Sequence, residues 1–479
     1  MAGTILGYGV YIPRYRIKRE DIARAWAGHA RGENSVAHVN EDVITMAVEA
    51  AQNALESAGM EPARIGGIYL GTASAPNIEQ SSVGIIGTTL GTGPRIDVAD
   101  FGGSPRAGTA ALKACLDAVA SGRIESGLVI GSDLRTGPPG SELELSFGAG
   151  AGALIVGRGP GIAELEDIQS YSTSFQDSWR PANDPYVRLF EPRYSREYGY
   201  VQHVAQAVDG LLKSSGSAIG DFQHVLVQEP DGRVPRILVK ALGAQAQQVE
   251  VGALFPQVGD TGAASLFLGL AAVFEKAGPG ERVLAASYGS GVSDAMSLRV
   301  AEGVQKGRGE GGTLDRYLKS KEYIDYTTYL KNRGILNQAQ TPSRMGVPPM
   351  SPLVSRESAE LLQLIGARCS GCGYMNYPPS ERKICVRCGN TEFERVILPR
   401  RGTIHTYCIS YYLPPGFDES PLPLIIGDLE DGTRHRALGT EMKPEAVAID
   451  NPVELVMRRL ATEDGVSLYG NVFRFPRRG

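Results

Sequence analysis

The clearest chemical pattern in the chain is a set of four cysteines. Cys369, Cys372, Cys385 and Cys388 form two Cys-x-x-Cys pairs separated by twelve residues, and a glycine follows each pair. Four thiolates at this spacing are the ligand set of a tetrahedral zinc ion, and four protein ligands leave no open position for catalysis. The pattern therefore predicts a rubredoxin-like zinc ribbon with one structural Zn²⁺. A ribbon that keeps its shape without metal is the alternative.

A second stretch, ADFGGSPRAGTAAL at residues 99–112, has the form of a helix entrance without a reactive group. The alanine-rich run that follows has helical spacing and ends at Gly122. Ser104 is a favourable N-cap, and Pro105 suits the first helical position. An enzyme could keep an activated cysteine here, because the helix dipole favours a thiolate. The position holds proline instead, and a nucleophilic Ser104 would lack an identified base.

Composition limits the classes of function. The chain has 479 residues, of which 42% are hydrophobic and 21% charged, and its formal net charge is -5. This is typical of a globular protein of two or three domains, and the charge argues against nucleic acid or an anionic membrane as partner. We find no apolar run of about 18 residues and no signal-peptide pattern. The cysteine usage indicates a reducing compartment, so the predicted location is cytoplasmic.

Residues 1–302 are predicted to form one α/β domain. Short β-branched runs such as IGGIYLGTAS and ERVLAASYGSG alternate with helical stretches such as ITMAVEAAQNALESAG and AASLFLGLAAVFEKAG. The second half repeats the first in outline, which indicates two stacked α/β units of related design. The string GAGAGALIVG at 148–157 leads into a strand instead of following one, so it does not predict a dinucleotide site.

Three further segments follow this domain. Residues 303–350 are glycine-rich, then tyrosine-rich, then proline-rich, and predict a connector with one helix. Residues 351–392 are predicted to hold a helix and the zinc ribbon. Residues 393–479 have short strands between Pro, Asp and Gly turns, which predict a small five-stranded OB-fold barrel. The barrel lacks a basic stripe with interleaved aromatics, so nucleic acid is not predicted as its ligand.

Residues 346–479 resemble the zinc-ribbon plus OB-fold family that accompanies thiolase-type proteins as a partner subunit or fused domain. The resemblance rests on CSGCG…CVRCG, RGTIHTY and PPGF. It implies a domain that helps to bind acyl-CoA and to bridge subunits.

Residues 1 to about 335 resemble the 3-hydroxy-3-methylglutaryl-CoA synthases of archaeal type, within the thiolase superfamily. The resemblance is carried by GYGVYIPRYRI, GIYLGTAS, RAGTAALKAC, PDGRVP, SYGSG and YIDYTTYLKNRG. It implies a five-layered, internally duplicated αβαβα thiolase fold and an acyl-CoA ligand. It also implies a homodimer or higher homo-oligomer, with a thiolase or another acyl-CoA-processing protein as a further candidate partner.

The catalytic groups that this resemblance implies are replaced in the chain. The acid/base glutamate falls on Ala73, the acyl-accepting cysteine on Pro105, the histidine on Gln228 and the asparagine of a later turn on Asp260. A proline cannot accept an acyl group, and an alanine cannot move a proton. The sequence therefore predicts that a covalent Claisen mechanism of the family type does not operate here.

New hydrogen-bond acceptors accompany these replacements. In the implied fold Glu229, Asp231 and Asp260 lie near turns that face the pocket, although a turn role alone also explains Asp231 and Asp260. Tyr200 matches a Glu-x-x-Tyr that the family has before a helix. The predicted catalytic residues are Asp260, Glu229, Asp231, Ser104, Gln228 and Tyr200.

Chemistry that keeps the CoA thioester intact needs no acyl-enzyme. Aldol and retro-aldol steps on a β-hydroxyacyl-CoA need only a base for the hydroxyl and donors for the enolate oxygen. The predicted function is therefore aldol or retro-aldol chemistry on a β-hydroxyacyl-CoA, with Asp260 as the base. Two alternatives stay open: a non-catalytic acyl-CoA-binding scaffold for a thiolase partner, and a Claisen-type acyltransferase or thiolase with relocated catalytic residues.

The predicted CoA-binding residues come from two segments. DGRVPRILVK places Arg233, Arg236 and Lys240 at a helix start, where charge and helix dipole both favour the CoA phosphates. A solvated helix face is the alternative for these three. The SYGSG turn adds Ser290 and Gly291, which could offer N–H groups to the enolate.

Overall fold

The structure is a computed structural model that describes residues 3–308, 314–336, 357–358, 360–377, 383–411, 421–463 and 465–477. The first half of the α/β domain contains β1 (Gly3–Tyr11), β2 (Tyr15–Lys18), α1 (Arg19–Ala25), β3 (Glu33–Val36), α2 (Val43–Ala58), β4 (Gly67–Gly71), α3 (Val83–Leu90), β5 (Asp97–Phe101), α4 (Ala107–Ala120), β6 (Ser126–Leu134), α5 (Glu142–Ser146) and β7 (Ala149–Gly157). The second half contains β8 (Ala163–Ser172), β9 (Ser178–Trp179), β10 (Arg188–Leu189), α6 (Pro192–Tyr194), a π-helix (Ser195–Val201), α7 (Gln202–Ser215), β11 (His224–Val227), α8 (Val234–Leu242), α9 (Ala246–Val249), α10 (Phe255–Val258), α11 (Ser265–Lys276), β12 (Arg282–Gly289) and β13 (Val292–Val300).

The remaining elements follow the α/β domain. They are α12 (Leu314–Lys319), β14 (Glu322–Tyr323), α13 (Tyr326–Asn332), β15 (Ile365–Cys369), β16 (Met375–Asn376), β17 (Phe393–Ile397), β18 (Arg401–Ser410), β19 (Leu422–Leu429), β20 (Arg434–Leu438), β21 (Pro452–Glu463) and β22 (Val466–Arg474). Within the described ranges, none of the helices combines the length and apolar character needed to cross a membrane.

The main sheet is built twice on the same plan. Its nine strands pair in the order β11-β12-β13-β8-β1-β7-β6-β4-β5. In the first half β7 is antiparallel to β1 and β6, while β4 is parallel to β5 and β6. In the second half β13 is antiparallel to β8 and β12, while β11 is parallel to β12. This repeated order agrees with the two related α/β units that the sequence predicts.

Helices cover and separate the two halves of the sheet. The helix α2 packs on β1, β6 and β7, and α7 packs on β8, β12 and β13. Between the halves, α4 packs on β4, β5 and β6, while α11 packs on β7 and on β11 and β12. The approach is close: a Cβ at Gly131 would lie 2.2 Å from the carbonyl oxygen of Ala263. Glycine is therefore required where the two halves meet, and the layers alternate as αβαβα.

The helix after Pro105 begins later than predicted. Its first residue is Ala107, its N-cap is Arg106 with φ −87° and ψ 6°, and no side chain of the described residues caps it. The N–H of Ala107 donates to the carbonyl oxygen of Ser104 at 3.0 Å, and the hydroxyl of Ser104 accepts from the N–H of Arg106 at 3.3 Å. Ser104 therefore closes a turn ahead of the helix, so its prediction as the N-cap is wrong.

The described part of the connector holds two short helices where one was predicted. Between them, the strand β14 pairs with β2 in parallel. The N–H of Glu322 donates to the carbonyl oxygen of Arg14 at 3.0 Å. These extended residues interrupt the helical pattern, because the chain is used there as an edge strand of the small sheet β14-β2-β3.

The carboxyl-terminal part contains two small antiparallel sheets. One has the order β16-β15-β17, and the other has the order β20-β19-β18-β21-β22. A bridge between Gly439 and Phe473 joins the two ends of the five-stranded sheet. Phe473 lies at 0% exposure in the core of that sheet. The sheet is therefore barrel-like, with an apolar centre.

Buried ion pairs fix the barrel-like sheet to the α/β domain. The carboxylate of Glu49 on α2 accepts from Arg474 at 2.5 and 3.1 Å and from Arg458 at 3.4 Å. Arg458 also donates to Glu441 at 2.7 Å and to the hydroxyl of Tyr11 at 3.1 Å. Burial raises the pKa of Glu49, but the arginines outweigh it, so this pKa lies below its ordinary value. Because an unpaired buried charge is costly, these pairs favour one docked arrangement.

We expect Glu49→Ala to lower the free energy of unfolding by about 3–5 kcal/mol, since two buried guanidinium groups each lose one of their carboxylate partners. Urea unfolding followed by circular dichroism measures this change. Asp315→Ala is the control, because Asp315 forms an exposed pair with Lys319 at 2.7 Å, and it should leave stability almost unchanged. Equal stability of both variants would contradict the role given to Glu49.

Candidate active site

A cavity lies where α4 begins, between the two halves of the α/β domain. Its wall includes Pro105, Gln228 and Asp260, three of the positions onto which the resemblance places the family's catalytic groups. The fourth position, Ala73, lines an adjoining cavity that shares Pro105 and Arg135 with the first. The four positions therefore gather around one site.

The strand ends bring these residues together. Ala73 follows β4 and Gln228 follows β11, so both lie at the carboxyl ends of parallel strands, where α/β sheets place their ligands. The buried carboxylate of Asp133 holds the first turn: it accepts from the N–H of Ala73 at 2.8 Å, the hydroxyl of Ser74 at 2.6 Å and the N–H of Ala263 at 2.7 Å. Burial raises the pKa of Asp133 despite these donors.

Asp260 is paired with Arg135. One carboxylate oxygen accepts from the Arg135 guanidinium, and the other accepts from the N–H of Gly262 at 2.8 Å. Asp260 is 3% exposed, and the guanidinium lies over the ring of Phe147 at 4.3 Å. Both oxygens of Asp260 are thus occupied by donors. The carboxylate positions a buried cation, which does not suit the free base that the sequence predicts.

Gln228 and Tyr200 support the wall of the cavity. The side-chain oxygen of Gln228 accepts from the N–H of Tyr288 at 3.2 Å, and its carbonyl oxygen accepts from the hydroxyl of Tyr200. The rings of Tyr200 and Tyr288 pack edge to face with centroids 5.5 Å apart. Burial raises the pKa of Tyr200 well above its ordinary value, so this group stays a neutral donor.

A group that sequence reasoning missed lies beside Pro105. The Asp177 carboxylate accepts from the Tyr288 hydroxyl at 2.7 Å. The neighbouring hydroxyls of Ser178 and Ser290 lie 3.3 Å apart, and both residues line both cavities. Burial raises the pKa of Asp177, although the hydrogen bond from Tyr288 acts in the opposite direction. The only sequence signal was an acid followed by a serine, QDSW, in a loop without periodicity.

The other two predicted carboxylates, Glu229 and Asp231, differ in their position relative to the cavities. Glu229 is not among the described residues of either cavity wall. Its carboxylate accepts from the N–H of Phe255 at 2.8 Å, and burial raises its pKa to about 6. Asp231 lines the first cavity, accepts from the N–H of Arg233 at 2.6 Å and lies 3.6 Å from Arg196. Glu229 therefore holds a loop, whereas Asp231 faces the site.

Ser104 is not among the described residues that line either cavity. A Cβ at Gly289 would lie 2.0 Å from the Ser104 hydroxyl oxygen, which shows how closely this side chain packs on the turn after β12. Gly291 has φ 77°, and its N–H donates to the Tyr288 hydroxyl at 3.2 Å. Ser290 lines the first cavity, whereas Arg233, Arg236 and Lys240 are exposed at the start and along the outside of α8.

The four predicted metal ligands form one cluster. Their sulfur atoms all lie within 4.8 Å of one another. Cys369 and Cys388 are 3.5 Å apart, and Cys372 and Cys385 are 3.6 Å apart. Sulfur atoms bound at about 2.3 Å in a tetrahedron are separated by about 3.8 Å, so the cluster fits a zinc ion.

We expect Asp260→Ala to destabilise the protein by about 3–5 kcal/mol, because it leaves the buried Arg135 guanidinium without its carboxylate. The free energy of unfolding from urea titration tests this. Replacing both partners, in Arg135→Met with Asp260→Leu, should recover most of the loss. If Asp260→Ala keeps wild-type stability, the ion pair does not hold the site together.

The fold and the cavity define a thiolase-like α/β protein. No family model matches the chain. The chain is 37% identical over 346 residues to the hydroxymethylglutaryl-CoA synthase of Methanosarcina mazei, which covers 70% of this chain and 99% of that one. It is 39% identical over 342 residues to the enzyme of the same name from Methanocaldococcus jannaschii, with 70% and 99% covered. The chain belongs to the hydroxymethylglutaryl-CoA synthase family.

Solved structures show the same fold. A hydroxymethylglutaryl-CoA synthase complexed with CoA matches with a TM-score of 0.64 at 22% identity, over 71% of this chain and 92% of that one. The 3-oxoacyl-[acyl-carrier-protein] synthase III of Aquifex aeolicus matches with a TM-score of 0.55 at 22% identity, over 62% and 99%. The predicted α/β thiolase-like fold is confirmed. The resemblance of residues 346–479 to the zinc-ribbon plus OB-fold family stays a prediction.

The predicted aldol or retro-aldol function is wrong. The relatives are named hydroxymethylglutaryl-CoA synthase, a name for forming this CoA thioester and not for cleaving it. The structure gives the physical reason for the error. The sequence argument needed Asp260 as a free base, and both oxygens of that carboxylate are held by Arg135 and Gly262.

Proposed function

We propose that the chain is a CoA-dependent condensing enzyme, which joins two acyl groups in the cavity between the halves of the α/β domain. The acyl group is carried by the Ser178 hydroxyl in place of a thiol at Pro105. The observation that carries this proposal is that Ser178, Asp177 and Tyr288 lie on the cavity wall that also contains Pro105. The Tyr288 hydroxyl holds one oxygen of Asp177, and the other oxygen has no hydrogen-bond partner among the described residues. The names of the curated relatives support a condensing rather than a cleaving reaction.

The first step is transfer of an acyl group to Ser178. The Ser178 oxygen attacks the thioester carbonyl, its proton passes to the Asp177 carboxylate, and the carbon–sulfur bond breaks as the ester forms. The sulfur of the leaving CoA then takes the proton from Asp177. Because burial raises the pKa of Asp177, its carboxylate is a stronger base than that of an ordinary aspartate. The Tyr288 hydroxyl keeps the carboxylate in place.

In the second step the Asp177 carboxylate removes an α-proton from a second acyl-CoA, and the resulting enolate carbon attacks the ester carbonyl. The carbon–oxygen bond to Ser178 breaks, and the Ser178 oxygen takes the proton back from Asp177. This step needs a group that stabilises the enolate. Arg135 is suited to this, because its buried guanidinium lies on the wall of both cavities. Its Nε has no hydrogen-bond partner among the described residues. A fixed cation in a site that excludes water stabilises a developing oxyanion strongly. Asp260 holds the guanidinium in place through Nη2.

The CoA phosphates are assigned to the exposed cations of α8. Asp231 belongs to the cavity wall, and the chain continues from it to Arg233, Arg236 and Lys240. Charge and helix dipole both favour phosphate at this helix start. The homodimer and the thiolase partner stay predictions.

A second candidate function is acyl-CoA binding without turnover. The replacements at Ala73, Pro105 and Gln228 favour it, since none of these side chains can carry an acyl group or transfer a proton. Under this alternative the protein binds acyl-CoA, gains no mass and forms no carbon–carbon bond.

We expect intact-protein mass spectrometry after incubation with acetyl-CoA to show one added acetyl group, which Ser178→Ala abolishes. Asp177→Asn should slow the acylation by about 10²–10⁴-fold, which is typical for loss of a general base. The rate should rise with pH as Asp177 loses its proton, above the range of an ordinary aspartate.

Ser195→Ala is the matched control. Ser195 also lines the cavity, but its hydroxyl has no hydrogen-bond partner among the described residues and thus no base. It should acylate like the wild type. Binding of acetyl-CoA without acylation or turnover would support the second candidate and contradict the first.

We also propose that residues 351–392 form a helix and a zinc ribbon, and residues 393–479 an OB-fold barrel. The donor set and sulfur spacing support one structural Zn²⁺ held by Cys369, Cys372, Cys385 and Cys388. Such a closed site contributes stability and no chemistry.

We expect metal analysis of the purified protein to give about one zinc per chain. Cys372→Ser should lower this content and the thermal stability, because metal binding contributes to folding. Cys408→Ser is the control, since Cys408 is an exposed thiol outside the cluster. A folded wild-type protein without zinc would contradict the assignment.

A further inference from the structure

The second cavity, on the side of Pro105 where Ala73 lies, is larger than an acetyl group requires. Its volume is about 270 Å³. Much of its described wall consists of small residues, namely Ala73, Ala75, Gly102 and Gly103. A Cβ at Gly102 would meet only the carbonyl oxygen of Thr72 at 3.7 Å, and a Cβ at Gly103 would meet nothing within 4 Å. Small side chains therefore leave this space open.

Two large apolar side chains stand at the edge of the same cavity. Ile78 is 79% exposed and Trp179 is 44% exposed, and both belong to the cavity wall. Large apolar side chains that are exposed next to a cavity commonly mark a surface that a ligand covers. An apolar ligand group in the cavity would remove both from water.

The second cavity is continuous with the proposed reaction site. Ser178, Pro105 and Arg135 belong to the walls of both cavities. An acyl group bound near Ser178 can therefore extend into the second cavity. The wall cations already have partners in the protein: Arg135 donates to Asp260, and Arg180 donates to the carbonyl oxygen of Ala73 at 3.4 Å.

We propose that the second cavity binds the apolar chain of an acyl-CoA longer than acetyl-CoA, so that the enzyme selects medium-length acyl groups. This inference rests on the proposed function, because the acyl chain can enter the second cavity only if the thioester lies near Ser178. Ala73 and Gly102 set the depth of the cavity, and Ile78 and Trp179 cover the chain.

Tryptophan fluorescence provides a direct readout. The chain has two tryptophans. Trp26 is 54% exposed and donates to Tyr326 at 3.1 Å, away from both described cavity walls. In a Trp26→Phe, Ser178→Ala protein, which binds thioesters without becoming acylated, emission therefore reports on Trp179 alone. Titration with CoA, acetyl-CoA, hexanoyl-CoA and adipyl-CoA, with affinities from calorimetry in parallel, tests the proposal.

We expect a blue shift of Trp179 with hexanoyl-CoA and affinity that rises roughly fourfold for each added methylene that the cavity buries. Adipyl-CoA, of equal length but with a terminal carboxylate, should bind more weakly than hexanoyl-CoA. Ala73→Leu and Gly102→Leu fill the cavity from two different segments and should each remove the gain from chain length. Ala120→Leu, an exposed alanine at the far end of α4, should keep it.

Other outcomes overturn the proposal in distinguishable ways. Equal affinity for acetyl-CoA and hexanoyl-CoA, tighter binding of adipyl-CoA, or a chain-length gain that survives both leucine variants would remove this inference and leave the proposed function intact. If neither CoA nor any of its thioesters binds, the proposed function fails together with the inference.

Discussion

The ion pair between Arg135 and Asp260 is the contact on which the candidate site depends. Arg135 directly follows β6 in the first half of the α/β domain, and Asp260 lies in the turn before α11 in the second half. Both side chains are almost fully buried, so each charge requires the other. The pair fixes the distance between the two halves. Both cavities lie next to it, because Arg135 belongs to the walls of both.

The carboxyl-terminal part is joined to this domain by charges of the same kind. Glu49 lies on α2, the outer helix of the first half. Its carboxylate accepts hydrogen bonds from Arg474 and Arg458 of the barrel-like sheet. The hairpin between β21 and β22 also reaches the site, because the carbonyl oxygen of Gly465 accepts from the side chain of Asn77 at 3.0 Å. Asn77 lines the second cavity. The barrel-like sheet therefore supports the loop that follows β4, and this loop forms part of the second cavity.

The sequence pattern predicted the helices and strands better than it predicted the contacts between side chains. Alternating strands and helices, the duplicated plan and the four cysteines follow from spacing along the chain, which local physics sets. The hydrogen-bonded pairs of the site do not follow from local spacing. Asp260 and Arg135 are 125 residues apart, and Tyr288 and Asp177 are 111 residues apart. The start of α4 was also misplaced, since the turn at Pro105 and Arg106 competes with the helix. The aldolase prediction failed because it relied on the absence of a thiol and could not show that Asp260 was already paired.

The measurement that tests the account most directly is a crystal structure of the Ser178→Ala protein with acetyl-CoA bound. The account predicts the thioester carbonyl carbon in the cavity beside Pro105, within about 3.5 Å of the position of the missing Ser178 hydroxyl. It also predicts the acetyl methyl group directed towards Ala73, with the phosphates near the start of α8. A thioester outside this cavity, or one whose carbonyl faces a different side chain, would contradict the assignment of the site.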